Sequence, residues 1–109
     1  MSTKKSKSQA MKTLEDIIGG PLKIGDLLRS IRLADELSLA EFSKKLGITI
    51  SHLCDIEKGR KTVSPQRAAR FAKILGRSRE QFVRLALQQM IHDAGLKMRV
   101  VIEPLAHGA

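Results

Sequence analysis

Residues 38–59 have the sequence SLAEFSKKLGITISHLCDIEKG, and this stretch decides the fold. Ser38 is followed three residues later by Glu41, the spacing of a capping box, in which each side chain binds an unpaired backbone N–H at the start of a helix. The helical pattern that begins there is interrupted at Gly47. The stretch therefore predicts two short helices joined by a tight turn.

Each of these two helices has its own boundaries. The first is predicted over residues 39–46, and the second over 50–58, with Thr49 as its cap and Gly59 as its terminator. The apolar residues fall where two crossed helices bury them: Leu39, Phe42, Leu46, Ile48, Leu53 and Ile56. A short helix, a glycine-containing turn and a second helix form the device that places a helix in the major groove of DNA.

Three further helices are predicted around this pair. Apolar residues at helical spacing indicate a first main helix over residues 22–36. Ser64 followed by Pro65 combines a cap with proline at the first helical position, and this helix stops at Gly76. A last helix then ends near Gly95. The chain is therefore predicted to contain an all-α, five-helix domain.

The C-terminal segment changes to a period of two, which predicts a short β-strand bounded by Gly95 and Pro104. A lone strand leaves its backbone groups unpaired, and the same strand of a second copy is the simplest partner, across a dimer axis. The alternative is a frayed tail that lies on the core. The residues assigned to dimerisation are Phe82, Leu85, Met90, Met98, Val100 and Ile102.

Charge indicates the kind of partner. The 109 residues carry a formal charge of +9, which favours a polyanion. Residues 1–12 hold four lysines and no acid. A second group of cations lies between Glu57 and Glu80, without an intervening acid: Lys58, Arg60, Lys61, Arg67, Arg70, Lys73, Arg77 and Arg79. This second group begins where the second short helix ends, although a solvated helical face would have the same composition.

Several classes of protein are disfavoured. The single cysteine, Cys54, cannot form an intramolecular disulfide and fits a reducing compartment, and no apolar run approaches the ~20 residues that span a bilayer. The three histidines lack the close spacing of zinc ligands, so no metal, cofactor or catalytic residue is expected. We expect a bacterial, cytoplasmic, nucleoid-associated protein that is not an enzyme.

The joint pattern resembles the lambda-repressor-like helix-turn-helix family, in its XRE-type branch. The resemblance covers about residues 24–75. It is carried by Ile24, Leu28, Arg32, Leu37, Ser38, Phe42, Leu46, Gly47, Ile48, Leu53, Ile56, Glu57, Gly59, Ser64 and Pro65. It implies a DNA-binding domain over residues 21–76, preceded by a basic flexible tail (1–20) and followed by a dimerisation segment (77–109).

The resemblance also implies roles for individual residues. An ion pair between Arg32 and Glu57 is expected to hold the recognition helix against the scaffold. The base-contacting positions correspond to Thr49, Ile50, Ser51, His52 and Asp55. The candidates for phosphate contacts are Ser38, Lys44, Lys58, Arg60 and Lys61. The chain departs from the family at Leu39, where many members have a phosphate-binding glutamine.

The function implied is a repressor that binds double-stranded, palindromic operator DNA as a homodimer. The architecture is similar to that of HipB-type antitoxins, which implies autoregulation of an operon and a cognate toxin protein as a further partner. Two alternatives stay open: a phage-type or plain repressor without a toxin, and an interaction adaptor that keeps the fold without binding DNA.

Overall fold

The computed structural model describes residues 22–105, and the predicted N-terminal tail over 1–20 lies outside this range. The described residues form five α-helices: α1 (Ile24–Ala34), α2 (Leu39–Leu46), α3 (Ile50–Glu57), α4 (Pro65–Leu75) and α5 (Arg79–Asp93). The predicted five-helix, all-α architecture is confirmed over this part of the chain. The predicted bounds of α2 and the predicted start and stop of α4 are those observed, and the other helices differ from prediction by one or two residues at their ends.

Side-chain caps fix where four of the helices begin. The hydroxyl of Ser38 accepts a hydrogen bond from the backbone N–H of Glu41 at 3.0 Å, and the Glu41 carboxylate accepts from the Ser38 N–H at 2.9 Å. These bonds lower the pKa of Glu41. The hydroxyls of Thr49, Ser64 and Ser78 accept in the same way at the starts of α3, α4 and α5. The boundaries follow from short polar patterns because each cap is local.

The turn between α2 and α3 requires glycine. Gly47 has a φ of 75°, in the left-handed region, and its N–H donates to the Lys44 carbonyl at 3.2 Å. A residue with a Cβ is strained in that conformation, whereas glycine is not. Gly47 thus ends α2 and redirects the chain into α3.

One core joins all five helices. Phe42, Phe71 and Phe82 are its largest members and come from α2, α4 and α5. Val63, which is 2% exposed, adds the loop between α3 and α4 to this core. The remaining buried apolar residues are Leu22, Ile24, Leu28, Ile31, Leu46, Leu53, Ile56, Ala68, Ala72, Leu85 and Ala86.

The burial of α5 corrects part of the dimer assignment. Phe82 and Leu85 are each 1% exposed within the single chain, because α5 packs on α4 and α1. They belong to the intrachain core and are not on a surface that a second copy can reach. Met90, by contrast, is 50% exposed near the end of α5.

Helices α1 and α3 cross at very short range. A Cβ placed on Gly25 would overlap the backbone oxygen of Ile56. Gly25 is buried at the start of α1, and Ile56 lies in the last turn of α3. The absence of a side chain at residue 25 therefore sets how closely the scaffold approaches α3.

The segment after α5 has no regular secondary structure through residue 105. The Leu96 N–H still donates to the Ile91 carbonyl, but no strand occurs among residues 22–105. A β-ladder needs a second strand, and the single chain offers none in this range. No helix within the same residues is long and apolar enough to cross a membrane.

Candidate nucleic-acid interface

The inner side of α3 is fixed to the scaffold by apolar contacts and by one ion pair. Leu53 and Ile56 are buried in the core. Arg32 of α1 donates from Nε to Glu57 Oε2 at 2.8 Å and from Nη2 to Glu57 Oε1 at 3.0 Å. A third bond runs from Arg32 Nη1 to the Leu37 carbonyl at 3.1 Å. One guanidinium therefore ties together α1, the start of α2 and the end of α3.

This ion pair is shielded from solvent. The side chains of Arg32 and Glu57 are 13% and 5% exposed. The hydrogen bonds to Glu57 raise the pKa of Arg32, an effect that burial opposes. A two-pronged guanidinium–carboxylate contact fixes orientation as well as distance, so α3 has one defined rotation against α1.

The outer side of α3 faces solvent at its N-terminal turn. Thr49, Ile50 and Ser51 are exposed, and Ile50 keeps 50% of its surface accessible. The Thr49 hydroxyl accepts a hydrogen bond from the His52 N–H at 3.0 Å, so it caps the helix. The groups available to a ligand are therefore an isoleucine side chain and a serine hydroxyl.

Asp55 lies one turn further along α3 and is paired with the loop that follows. Its carboxylate lies 3.6 Å from Arg60 Nη1 and 4.0 Å from Lys61 Nζ. Its backbone carbonyl also accepts from the N–H groups of Arg60 and Lys61, at 2.8 and 3.3 Å. Asp55 thus determines the position of two exposed cations in the loop at the C-terminal end of α3.

His52 contacts a residue that the sequence did not single out for the site. Nη1 of Arg67, on α4, lies 3.3 Å from His52 Nε2 and 3.4 Å from His52 Nδ1. Burial lowers the pKa of His52 from its usual value of 6.5, and the charges of Arg67 and Lys61 lower it further, while Asp55 acts in the opposite direction. The neutral imidazole is therefore favoured at neutral pH.

The predicted phosphate-binding residues fall into two groups. Lys44, Lys58, Arg60 and Lys61 all have exposed side chains. Ser38 differs, because its hydroxyl and its N–H are both bonded to Glu41. The structure thus brings three of the cations together in the loop after α3, with Lys44 on α2.

The packing of Leu39 accounts for one departure from the family pattern. It is half-buried and packs against the core at the first position of α2. The residue where many family members carry a polar phosphate ligand is used here for apolar packing.

Comparison with known families identifies the family of the chain. A family model described as a helix-turn-helix domain matches residues 23–85, which extends from just before α1 into α5. The chain belongs to this helix-turn-helix family. Its membership confirms the resemblance inferred from residues 24–75 and implies DNA binding. No curated protein matches the chain.

Neither Arg67 nor Gly25 was predicted to contribute to this site. Arg67 reaches His52 from another helix, 15 residues away in sequence, and no local pattern signals such a contact. The sequence shows the run of cations that includes Arg67, but it does not show that the Arg67 side chain points toward α3.

Among the described residues, no group of three histidine, cysteine or acidic side chains could hold a metal ion.

Proposed function

We propose that this protein is a sequence-specific DNA-binding transcriptional regulator, acting as a repressor, that inserts α3 into the major groove. The observation that carries the proposal is the helix-turn-helix match over residues 23–85, in a structure whose α3 has an exposed N-terminal turn and is followed by a loop of exposed cations. Such helices contact base edges with their N-terminal residues.

Base contacts are proposed for Ile50, Ser51 and His52 first. An exposed isoleucine can pack on a thymine methyl group, a serine hydroxyl can donate or accept, and a neutral imidazole can do either at a base edge. Thr49 and Asp55 complete the predicted set. Because Asp55 is paired with Arg60 and Lys61, its proposed role is chiefly to position those cations.

Phosphate contacts are proposed for Lys44, Lys58, Arg60 and Lys61. Such contacts fix the register of the protein on the duplex and supply the salt-dependent part of the affinity. The helix start at Ser38 is a weaker phosphate site, because the Glu41 carboxylate already occupies its N–H.

We propose a homodimer on a palindromic operator, with half-sites about one helical turn apart. The support is the exposed apolar surface near the C-terminus, where Met90, Met98 and Val101 are 50%, 61% and 69% exposed. A narrower form of the proposal makes the protein the autoregulating antitoxin of a toxin. Its support is the architecture alone, and co-purification with the product of an adjacent gene tests it.

The DNA-binding proposal is tested by selecting bound fragments from genomic DNA and sequencing them. We expect enrichment of a short palindromic site over bulk DNA. Recovery of no preferred fragment, with weak binding at every salt concentration, would instead favour an interaction adaptor that retains the fold.

A salt titration on the selected site tests the phosphate contacts. Replacing Arg60 and Lys61 together by alanine should weaken binding to all sequences and reduce the slope of log affinity against log salt by about 2, or ~0.9 per lost contact. The matched control replaces Arg29 and Arg77, two exposed cations outside α3 and its loop, and removes the same charge. Equal slopes for the two double variants would contradict the assignment.

A further inference from the structure

One side-chain amide holds the segment that follows α5. Gln88, on α5, donates from Nε2 to the Met98 carbonyl at 2.8 Å, and its Oε1 accepts from the Val100 N–H at 2.8 Å. A primary amide offers one donor and one acceptor side by side, as the backbone of a neighbouring strand does. Gln88 therefore takes the place of a strand residue beside residues 98–100.

This contact uses only one edge of the segment. Along an extended backbone, the carbonyl of one residue and the N–H of the second residue after it face the same side. Met98 and Val100 thus direct these groups toward α5, and Arg99 directs its own to the opposite edge. Among residues 22–105, the backbone groups of Lys97, Arg99 and Val101 make no hydrogen bond.

We propose that this free edge is the docking surface for the same segment of a second copy, in antiparallel orientation, with Glu103 facing a cation of that copy. The inference rests on the homodimer of the proposed function and specifies its interface. Gln88 is a positioning residue in this arrangement, since it orders the strand before pairing and blocks the other edge.

Charge complementarity favours the antiparallel orientation. Glu103 is the single acid between residues 96 and 105, and Lys97 and Arg99 are the cations. Only the odd-numbered residues have their backbone N–H and carbonyl groups on the free edge. They must therefore pair with odd-numbered residues of the partner. With the two-fold axis at Val100, Glu103 faces Lys97 of the second copy.

A shift of the two-fold axis by one residue also places Glu103 opposite a cation. With the axis at Val101, Glu103 faces Arg99 of the second copy. A parallel pairing would instead bring like charges together, which is unfavourable. Pairing would also cover apolar side chains that the single chain leaves accessible, since Met98, Val101 and Leu105 are 61%, 69% and 80% exposed.

The test is a charge exchange measured by sedimentation equilibrium on the full chain. We expect Glu103→Lys alone to raise the dimer dissociation constant about tenfold or more, because both symmetric pairs become repulsive. The double variant Lys97→Glu with Arg99→Glu should do the same. An equimolar mixture of these two proteins should form a heterodimer with nearly wild-type affinity, because every cross-strand pair is then complementary.

The role of Gln88 is tested separately. Gln88→Ala should weaken the dimer several-fold while leaving helix content by circular dichroism unchanged, because the clamp lies outside the core. Gln66→Ala, an exposed glutamine on α4, is the matched control and should leave the dimer intact. Equal dimer affinity for the two variants would overturn the positioning role.

The outcomes separate this inference from the proposed function. A wild-type chain that is monomeric at micromolar concentration, or a charge-exchanged mixture that does not dimerise, overturns the inference. If a different protein occupies this edge, the wild-type chain alone should be monomeric. Affinity for a duplex with a single half-site depends on α2, α3 and the loop after α3 and not on the C-terminal segment, so it should be the same for all these variants. Absence of such binding by the wild-type chain would overturn DNA binding instead.

Discussion

The two sides of α3 hold their charges in different ways. On the inner side, Glu57 is bonded to Arg32 by two contacts of 2.8 and 3.0 Å, and both side chains are almost buried. On the outer side, Asp55 lies 3.6 and 4.0 Å from Arg60 and Lys61, which are 65% and 59% exposed. The inner pair fixes the helix, whereas the outer pairs can be exchanged for phosphate at little cost.

This difference separates stability from recognition within one eight-residue helix. Substitutions on the inner side should unfold the domain or tilt α3, and substitutions on the outer side should change DNA binding with little effect on unfolding.

The largest effect is expected from Glu57→Ala. It leaves the Arg32 guanidinium buried without its partner, and we expect a loss of about 3–5 kcal/mol in the free energy of unfolding, measured by urea denaturation. Asp93→Ala, at an exposed acid, should change it by less than about 0.5 kcal/mol. In a double-mutant cycle with Arg32→Ala, additive losses would show that the two residues do not act as a pair.

A smaller loss of stability is expected from Gly25→Ala. The new methyl group overlaps the Ile56 carbonyl, so α1 and α3 must separate, at a cost of about 1–3 kcal/mol or more. Operator affinity should fall as well, since the shift changes the angle of α3. Ser30→Ala, an exposed position on the same helix, is the control. Unchanged stability of Gly25→Ala would show that the two helices are not in such close contact.

Asp55→Asn should affect binding more than folding. Release of Arg60 and Lys61 should raise affinity for random-sequence DNA by about 2- to 5-fold at low salt, and the gain should vanish at high salt. The measurement is a fluorescence anisotropy titration with a random duplex and with the selected operator. Loss of discrimination between the two duplexes, without that gain, would show that Asp55 contacts a base.

The smallest effect concerns His52. Its lowered pKa means that protonation destabilises the folded state, so this stability is present above pH ~6.5 and is lost as the pH falls through the folded-state pKa. NMR titration should show a pKa of His52 below 6.5, the usual value of histidine. Arg67→Ala should raise the pKa of His52 only part of the way, because burial is the larger cause. No change in that variant would show that the Arg67 charge does not act on His52.

The helices were predictable from sequence because their ends depend on neighbours in the chain. Ser38 with Glu41, and Ser64 with Pro65, fix α2 and α4 through contacts three or fewer residues apart. The sequence of α5 also has apolar residues at helical spacing, Phe82, Leu85 and Ala86 among them. Its periodicity shows that Phe82 is buried, but it does not show whether the covering surface belongs to the same chain or to a second one.

The polar contacts of the site were only partly predictable. The pairing of Arg32 with Glu57 could be inferred only through the family resemblance. The contact of Arg67 with His52 joins two side chains, and the contact of Gln88 joins a side chain to the backbone of the C-terminal segment; no periodicity relates either pair. The need for glycine at residue 25 depends on the distance between two helix axes, which composition and spacing do not specify.

The burial of Val63 has a thermodynamic consequence for association. Because this residue and the Asp55 carbonyl hold the loop after α3 in place, its cations are ordered before any ligand arrives. Association should therefore involve no coupled folding of that loop. Calorimetry should give a heat-capacity change that matches the apolar area removed from water at the contact alone.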